Sequence, residues 1–389
     1  MDLLIVCSIV KLVVQVKLLP TPQQAAALEA TLDAANRAAN LVAALAFQHH
    51  CFRNFDLRKH TYDRIKAEFG PAAQAAQHVI KKVCDAYRTL HANLAAGHLG
   101  KPGSPRRAAI EARPISFRSP AAQPYDDRCL SWQHDARTVS IWTTAGRLKG
   151  VTFTGSARQL ALLAVHRRGE SDLICRDGMW FLHATVEVAD RPPSEPDGFV
   201  GVDLGIANIA TTSDGVRHRG KGLNAVRHRH RRLRRRLQAK RTKSAKRLLK
   251  RRRRSEARFA ANVAHVIAKS IVTEAERTGR GIALEDLQGI RERVRLRKPQ
   301  RVTLHSWSFH QLGAFIAYKA VLAGVAVILV DAAYTSQQCS RCGHVDKRNR
   351  PDQATFRCTS CGFAEHADVN AARNIASRGE TGWAVSHAA

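Results

Sequence analysis

The chain has 389 residues, 44% of them hydrophobic, which is enough for two or three domains with buried cores. It carries 63 Lys and Arg against 32 Asp and Glu, a formal net charge of +31. A surface this basic seeks a polyanion, nucleic acid first and an acidic membrane surface second. No run approaches the roughly 18 apolar residues of a spanning helix, which argues against a membrane protein.

The opening stretch, MDLLIVCSIVKLVVQVKLL, lacks the marks of a signal peptide: Asp2 comes early, Lys11 interrupts the apolar run, and no small-residue cleavage site follows. Val10, Leu12, Val14 and Val16 alternate with Lys11, Gln15 and Lys17, a strand pattern. Residues 1–9 read as an extension upstream of a start near Val10. Five cysteines are scattered singly (Cys7, Cys51, Cys84, Cys129, Cys175). Without a secretion signal they read as buried thiols of a cytoplasmic protein.

Thr21-Pro22-Gln23-Gln24 is a capping box with Pro at the first helical position. A helix follows with Leu28, Leu32, Ala35, Ala39 and Val42 on one face, and Ala-rich helical segments continue to about residue 97. Residues 98–127, rich in Gly, Pro and Arg, read as loop or linker. From 129 to 190 the texture is that of short strands, including a hairpin with Asp177-Gly178 at its turn. A helical block at 21–97 is therefore expected inside a β-domain formed by 1–20 and 110–190, with linkers at 98–109 and 191–198.

FVGVDLGIANIATTSDG (199–215) reads as two apolar strands around a turn. Residues 217–258 then hold 21 Lys and Arg against one Glu, a net +20. Leu233, Leu237, Leu248 and Leu249, then Phe259, Val263, Val266, Ile267 and Ile271, keep helical spacing. The expectation is a helical hairpin over 217–275 with one apolar and one arginine face. Twenty net charges would repel one another without a polyanion, so this hairpin is the candidate nucleic-acid surface, through Arg227, Arg231, Arg232, Arg235, Arg236 and Lys240. GIALEDLQGI (281–290) and VAVILVDAAYTSQ (325–337) read as two further buried strands, with a helix at about 308–323 between them and a helix start in DVNAARNIASRG.

Three carboxylates punctuate this pattern. Asp203 lies inside an apolar strand, where a lone charge is costly unless paired or metal-bound. Glu285 sits near the end of a second apolar strand, and Asp368 at a helix start, where a simple cap is the plain explanation. Together they fit a ribonuclease H-like arrangement, in which such carboxylates hold two Mg²⁺ ions for phosphodiester cleavage. GVDLG also occurs in actin-like and sugar-kinase ATPases, but the basic hairpin and the lack of a Gly-rich phosphate loop argue against that reading.

Cys339-x2-Cys342-x15-Cys358-x2-Cys361 has the spacing of a four-cysteine zinc ribbon, each pair followed by Gly343 or Gly362. Four thiolates fill the zinc tetrahedron, so His344 is not needed as a ligand and the ion is structural. Lys347, Arg348, Arg350 and Arg357 make the ribbon basic, suiting a nucleic-acid clamp. The ribbon, 335–365, is then an insertion between the last strand and the last helix of the nuclease fold. Asp368 lies beyond the ribbon and returns to the carboxylate site.

VGVDLGIANIATTSDG, IALEDLQGI, the cysteine segment and ADVNAARNIA resemble the three RuvC-like motifs and zinc ribbon of the TnpB (OrfB) family, encoded by bacterial insertion sequences. VKLLPTPQQAAALEATL and HSWSFHQLGAFIAYKA extend the resemblance over about residues 10–378. Ala268 stands where members often have Ser. The resemblance implies an α+β multidomain protein: an RNase H-like (RuvC-like) core over 199–334 and 366–380, a β-barrel-like wedge domain (1–20 and 110–190), a helical recognition lobe (21–97) and a C-terminal tail (381–389). It further implies an RNA-guided DNA endonuclease of the bacterial cytoplasm and nucleoid. Its partners would be a guide RNA from the transposon end and a double-stranded DNA target, with no membrane. Asp203, Glu285 and Asp368 would be catalytic, with two Mg²⁺ and one Zn²⁺ bound, and Arg373 facing the scissile phosphate. A small type V CRISPR effector of the same ancestry, a guided binder that does not cut, and a transposition accessory protein are the alternatives.

Overall fold

The computed structural model describes residues 9–70, 73–189, 191–252, 254–287 and 309–387. Residues 1–8, the 288–290 end of GIALEDLQGI and the 305–308 part of HSWSFHQ lie outside them. The chain divides into two compact units, Lys11–Val188 and the part from Ala189 onward.

In the first unit, β1 (Ile9–Leu19) buries Val14, Val16 and Leu18 and exposes Lys11, Gln15 and Lys17, as its alternation dictates. The capping box then starts α1 (Pro22–Gln48): the Gln24 N–H donates to Thr21 Oγ1 at 3.2 Å and the Thr21 N–H to Gln24 Oε1 at 3.0 Å. This helix serves two cores. Leu28 and Leu32 pack on a sheet with Val14, Val16, Ile141, Phe153 and Leu182. Ala39, Val42 and Ala46 pack with α2 (Asn54–Phe69) and α3 (Ala73–Ala95) through Leu57, Ile65, Ile80 and Tyr87.

Where loop is expected, Pro105–Glu111 forms α4, capped by Ser104, whose Oγ accepts from the Arg107 N–H at 3.4 Å. It buries no residue, so no periodicity announced it. Then come β2 (Gln123–Tyr125), β3 (Leu130–Gln133), β4 (Thr138–Thr143) and β5 (Gly146–Thr154). A helix, α5 (Ala157–His166), started by a capping box of Ser156 with Gln159, interrupts the short strands expected over 129–190. β6 (Arg167–Arg176) and β7 (Met179–Ala189) form the expected hairpin, with Asp177 at φ 54° and Gly178 at φ 75° as a type I′ turn requires. The strands of the expected barrel-like domain pair in the order β2-β6-β7-β1-β5-β4-β3, a seven-stranded, nearly closed sheet.

The second unit is built on a five-stranded sheet. β8 (Phe199–Asp203) turns into antiparallel β9 (Asn208–Thr212) and β10 (Arg217–Arg219). Three basic-rich helices follow in place of the expected two-helix hairpin. Arg241, at φ 53°, breaks the chain between α6 (Lys221–Lys240) and α7 (Lys243–Arg252), and α8 (Ser255–Arg277) returns to the sheet. The buried seam of α8 is Ala264, Ile267, Ala268, Ile271, Val272 and Ala275. Val266 sits one step out of that phase and is 62% exposed, and Phe259 is exposed as well, correcting the predicted apolar face.

β11 (Gly281–Glu285) lies parallel to β8, and after α9 (Phe309–Ala323) the last strand, β12 (Val327–Val330), lies parallel to β11. β12 is an edge strand with Leu329 57% exposed, not the buried strand expected. Two short strands, β13 (Thr355–Arg357) and β14 (Ala364–His366), precede the final helix α10 (Ala367–His387). Among the described residues no helix is long and apolar enough to cross a membrane.

The period-2 alternation of β8 and β11 sorts their side chains onto two faces. Val200, Val202, Ile282 and Leu284 pack with α8 and α9. Phe199 and Ala283 pack on the opposite side with Ile375 and Trp383 of α10. Gly201, Asp203 and Glu285 share the parity of this second set. A Cβ on Gly201 would lie 1.9 Å from Ala372 O and 2.5 Å from Ala376 N. One on Gly379 would lie 2.6 Å from Ala283 Cβ. At these two glycines helix α10 and the sheet touch with no side chain between, while Phe199, Ile375 and Trp383 fill the space beside them.

Gly201→Ala forces a methyl into helix backbone, so its cost should exceed the roughly 1–3 kcal/mol of ordinary overpacking. We expect loss of soluble protein or a drop in Tm of many degrees by calorimetry. Gly222→Ala, with nothing within 4 Å of the added methyl, should leave Tm unchanged or slightly raised.

Candidate active site

Asp203 ends β8 and Glu285 ends β11; the parallel register pairs Val202 with Leu284, and one step further sets the two carboxylates side by side. This is the carboxyl edge of parallel strands, where open α/β sheets place their ligands. Asp368 enters from the first turn of α10 and is only 8% exposed. Its oxygens do not cap its own helix. Oδ2 accepts from Asn208 Nδ2 at 2.8 Å, and Oδ1 from Arg350 Nη2 at 3.3 Å. The carboxylate also sits at the positive end of the helix dipole.

Asp203 feels the other two carboxyls. Burial, then the charges of Glu285 and Asp368, push the Asp203 carboxyl up to about 8, against the pull of Arg350. Burial also raises Glu285, opposed by a 2.6 Å hydrogen bond from Thr335 Oγ1 and by the charges of Arg378 and Arg350. A buried Asp203 pushed up by two carboxylate neighbours, beside a Glu285 raised by burial, is a donor set that a hard divalent cation fits.

Asn208, Thr335 and Arg350 are site residues that sequence reasoning missed or placed elsewhere. Arg350 was expected on the outer, nucleic-acid face of the ribbon; it turns inward to Asp368 and is 28% exposed. Arg373 forms an ion pair with Glu365 at 3.0 Å. Arg348 is exposed and pairs with Asp346 at 2.7 Å, beside exposed Lys347. On α6, Arg231, Arg232, Arg235, Arg236 and Lys240 are exposed along the helix. Arg227 is half-buried, and burial lowers its pKa, so it does not belong to that exposed face.

The four cysteine sulfurs lie within 4.8 Å of one another, with Cys339–Cys361 at 3.7 Å and Cys342–Cys358 at 3.6 Å. A tetrahedron with metal–sulfur arms of about 2.3 Å has edges of about 3.8 Å, so the spacing fits a four-thiolate metal site rather than disulfides. Gly343 at φ 77° and Gly362 at φ 72° supply the left-handed backbone each knuckle needs. Asn349 ties the knuckles together: Nδ2 donates to Gln337 O and His344 O at 2.9 and 3.2 Å, and Oδ1 accepts from the Thr359 N–H at 2.8 Å. Its neighbour is Arg350, so the residue that ties the knuckles together sits directly before that guanidinium. Helix α10 is stitched to the chain entering the knot by Asn370 to Gln338 O (2.8 Å) and Asn374 to Thr335 O (2.9 Å). Of the single cysteines, Cys84 and Cys129 are buried thiols and Cys51 and Cys175 half-buried.

These features define a basic, two-unit protein with a carboxylate cluster and a four-cysteine knot. Comparison with known proteins places it more closely. Residues 183–288 match the family model of OrfB of IS605, described as a probable transposase, and residues 309–375 match the Cas12f1-like TNB domain. The resemblance to the TnpB (OrfB) family drawn from the motifs is thus carried by two independent matches. The chain is 44% identical over 121 residues to the CRISPR-associated endodeoxyribonuclease Cas12f1 of Sulfoacidibacillus thermotolerans, covering 31% of this chain and 27% of that protein. It is 29% identical over 220 residues to the putative RNA-guided DNA endonuclease InsQ of Escherichia coli K12, covering 52% of this chain and 54% of that one. The chain thus spans about half or less of the length of these relatives. Its fold is shared with the Cas12f1 chain of a Cas12f1–sgRNA–target DNA complex, at TM-score 0.58 and 13% identity over 92% of this chain and 83% of that one.

A carboxyl raised in the folded state holds a proton there, between about 4 and about 8, that the unfolded chain has released. Metal-free stability should therefore fall as pH rises through that window. Asp203→Asn should flatten the slope and raise the metal-free Tm at pH 8, by about 2–4 °C per kcal/mol relieved. Calorimetry at pH 5, 6.5 and 8 in chelator checks this; a wild-type Tm that rises with pH across the window would contradict it.

Proposed function

We propose that this protein is an RNA-guided DNA endonuclease, the activity for which its relative InsQ is named, and that its carboxylate site is RuvC-like. The observation that carries the reading is the convergence of Asp203, Glu285 and Asp368 at the edge of parallel strands β8 and β11, with a cation from the four-cysteine knot, the Arg350 guanidinium, beside them. Asp203, Glu285 and Asp368 would hold two Mg²⁺ ions, since hard, partly hydrated cations suit carboxylate oxygens. Such ions, when bound, supply an activated water and stabilise the leaving oxygen of a phosphodiester. Thr335 orients Glu285, and Asn208 and Arg350 hold Asp368. Arg350 also offers positive charge where a phosphate would enter. Cys339, Cys342, Cys358 and Cys361 would hold one structural Zn²⁺.

The exposed arginines of α6 and the Lys347–Arg348 tip of the ribbon would grip phosphates of guide RNA and DNA, with base pairing supplying the sequence specificity. Residues 1–20 and 110–190 would form the wedge, 21–97 the recognition lobe and 335–365 the ribbon. The cell compartment would be the bacterial cytoplasm. A CRISPR effector role is the second reading, favoured by the Cas12f1-like match over 309–375.

The test is expression with native flanking DNA, sequencing of co-purified RNA, and plasmid cleavage in Mg²⁺ beside Asp203→Ala. We expect a discrete RNA from the transposon end and guide-matched cutting that the variant loses. A repeat-derived RNA would select the CRISPR reading; the absence of any discrete RNA would overturn guided cleavage. Metal analysis should find one zinc per chain, lost in Cys358→Ser together with several degrees of Tm.

A further inference from the structure

Asp368 is held from two sides by donors of different charge. Arg350 brings a guanidinium to Oδ1, whereas Asn208 brings a neutral amide to Oδ2 at 2.8 Å. The difference matters for a carboxylate that must hold a divalent cation. A guanidinium competes with the cation for the negative charge. A neutral amide takes one lone pair, leaves the charge in place and sets the plane of the carboxylate.

Asn208 is itself held firmly. It opens β9 directly after the turn of residues 204–207, and a Cβ on Gly205 would lie 2.7 Å from Asn208 O. The start of α6 is bonded to the same turn. The Gly220 N–H donates to Ala207 O at 2.7 Å, and Asn224 Nδ2 to Ile206 O at 3.0 Å. A Cβ on Gly220 would lie 2.6 Å from Ile206 O, so helix and turn touch through backbone.

We propose that Asn208 is a positioning residue of the nuclease site, fixing the Asp368 carboxylate for metal, and that the N-terminus of basic helix α6 fixes Asn208 in turn. This rests on the metal-nuclease reading above and adds to it a residue and a physical link. The helix that carries the exposed arginines is hydrogen-bonded to the turn that aims the amide at Asp368. The seat of α6 on that turn therefore sets the geometry of one metal ligand.

The test is a Mn²⁺ titration followed by the EPR signal of the free ion. It is run on zinc-replete wild type, Asn208→Ala, Asn208→Leu, Asn224→Ala and Asp203→Ala, with the metal-free Tm of each. Loss of an outer partner of a metal ligand costs about 10–100-fold in affinity, so the Asn208 variants should bind Mn²⁺ at least about tenfold more weakly. Asn224→Ala should shift in the same direction by less, and the metal-free Tm values should stay within a few degrees of wild type. Asn208 variants that bind Mn²⁺ like wild type while melting earlier would overturn the proposal, leaving Asn208 a structural residue. If wild type and Asp203→Ala bind Mn²⁺ alike, the nuclease-site reading itself fails, and this proposal with it. Should one Asn208 variant not fold, the other and Asn224→Ala carry the test.

Discussion

At Gly201, between strand β8 and helix α10, there is room for a hydrogen atom and nothing larger. At Gly201 an added methyl carbon would sit 1.9 Å from a helix carbonyl oxygen. That close approach lets the first turn of α10 reach the carboxyl edge of the sheet, so Asp368 joins two carboxylates from neighbouring strands. Gly379 repeats the device one strand over, against Ala283. A larger residue at either place would lift the helix and open the cluster. The assembled cluster is costly in the absence of cations, because burial and like charge hold Asp203 far above its ordinary range. A site that stores unfavourable charge in the metal-free state is one prepared for cations.

The four-cysteine knot reaches beyond its own fold. Asn349 locks its two halves, and the next residue, Arg350, extends to Asp368. Asn370 and Asn374 fasten α10 to the segment that carries Thr335, and Thr335 holds Glu285. Ribbon, helix and sheet edge are thus one hydrogen-bonded assembly. Arg350 and Thr335, at the two ends of this assembly, each touch one of the three carboxylates.

Asp203, Glu285 and Asp368 were legible because a charge in or beside an apolar strand needs a reason, and because strand alternation allots faces. The cysteine knot was legible from spacing alone. The capping box at Thr21 and the Asp177-Gly178 turn were legible because each residue does one local job. Asn208 and Thr335 were not: a polar residue at a turn or strand end is ordinary, and its partner is 160 residues away for Asn208 and 50 for Thr335. Arg350 looked like its basic neighbours, since charge does not reveal direction. Val266 was assigned to a buried face because a one-residue phase error along a helix is invisible without the partner surface. Helix α4 buries nothing and so had no signal to read.

On the reading proposed above, three carboxylates on β8, β11 and α10 form a divalent-cation site distinct from the cysteine knot. The most direct measurement is anomalous diffraction from crystals soaked in Mn²⁺, with data at the manganese and zinc edges. Manganese peaks bounded by Asp203, Glu285 and Asp368 are expected, with a single zinc peak among Cys339, Cys342, Cys358 and Cys361. A zinc peak at the knot with no manganese at the carboxylates would contradict that reading.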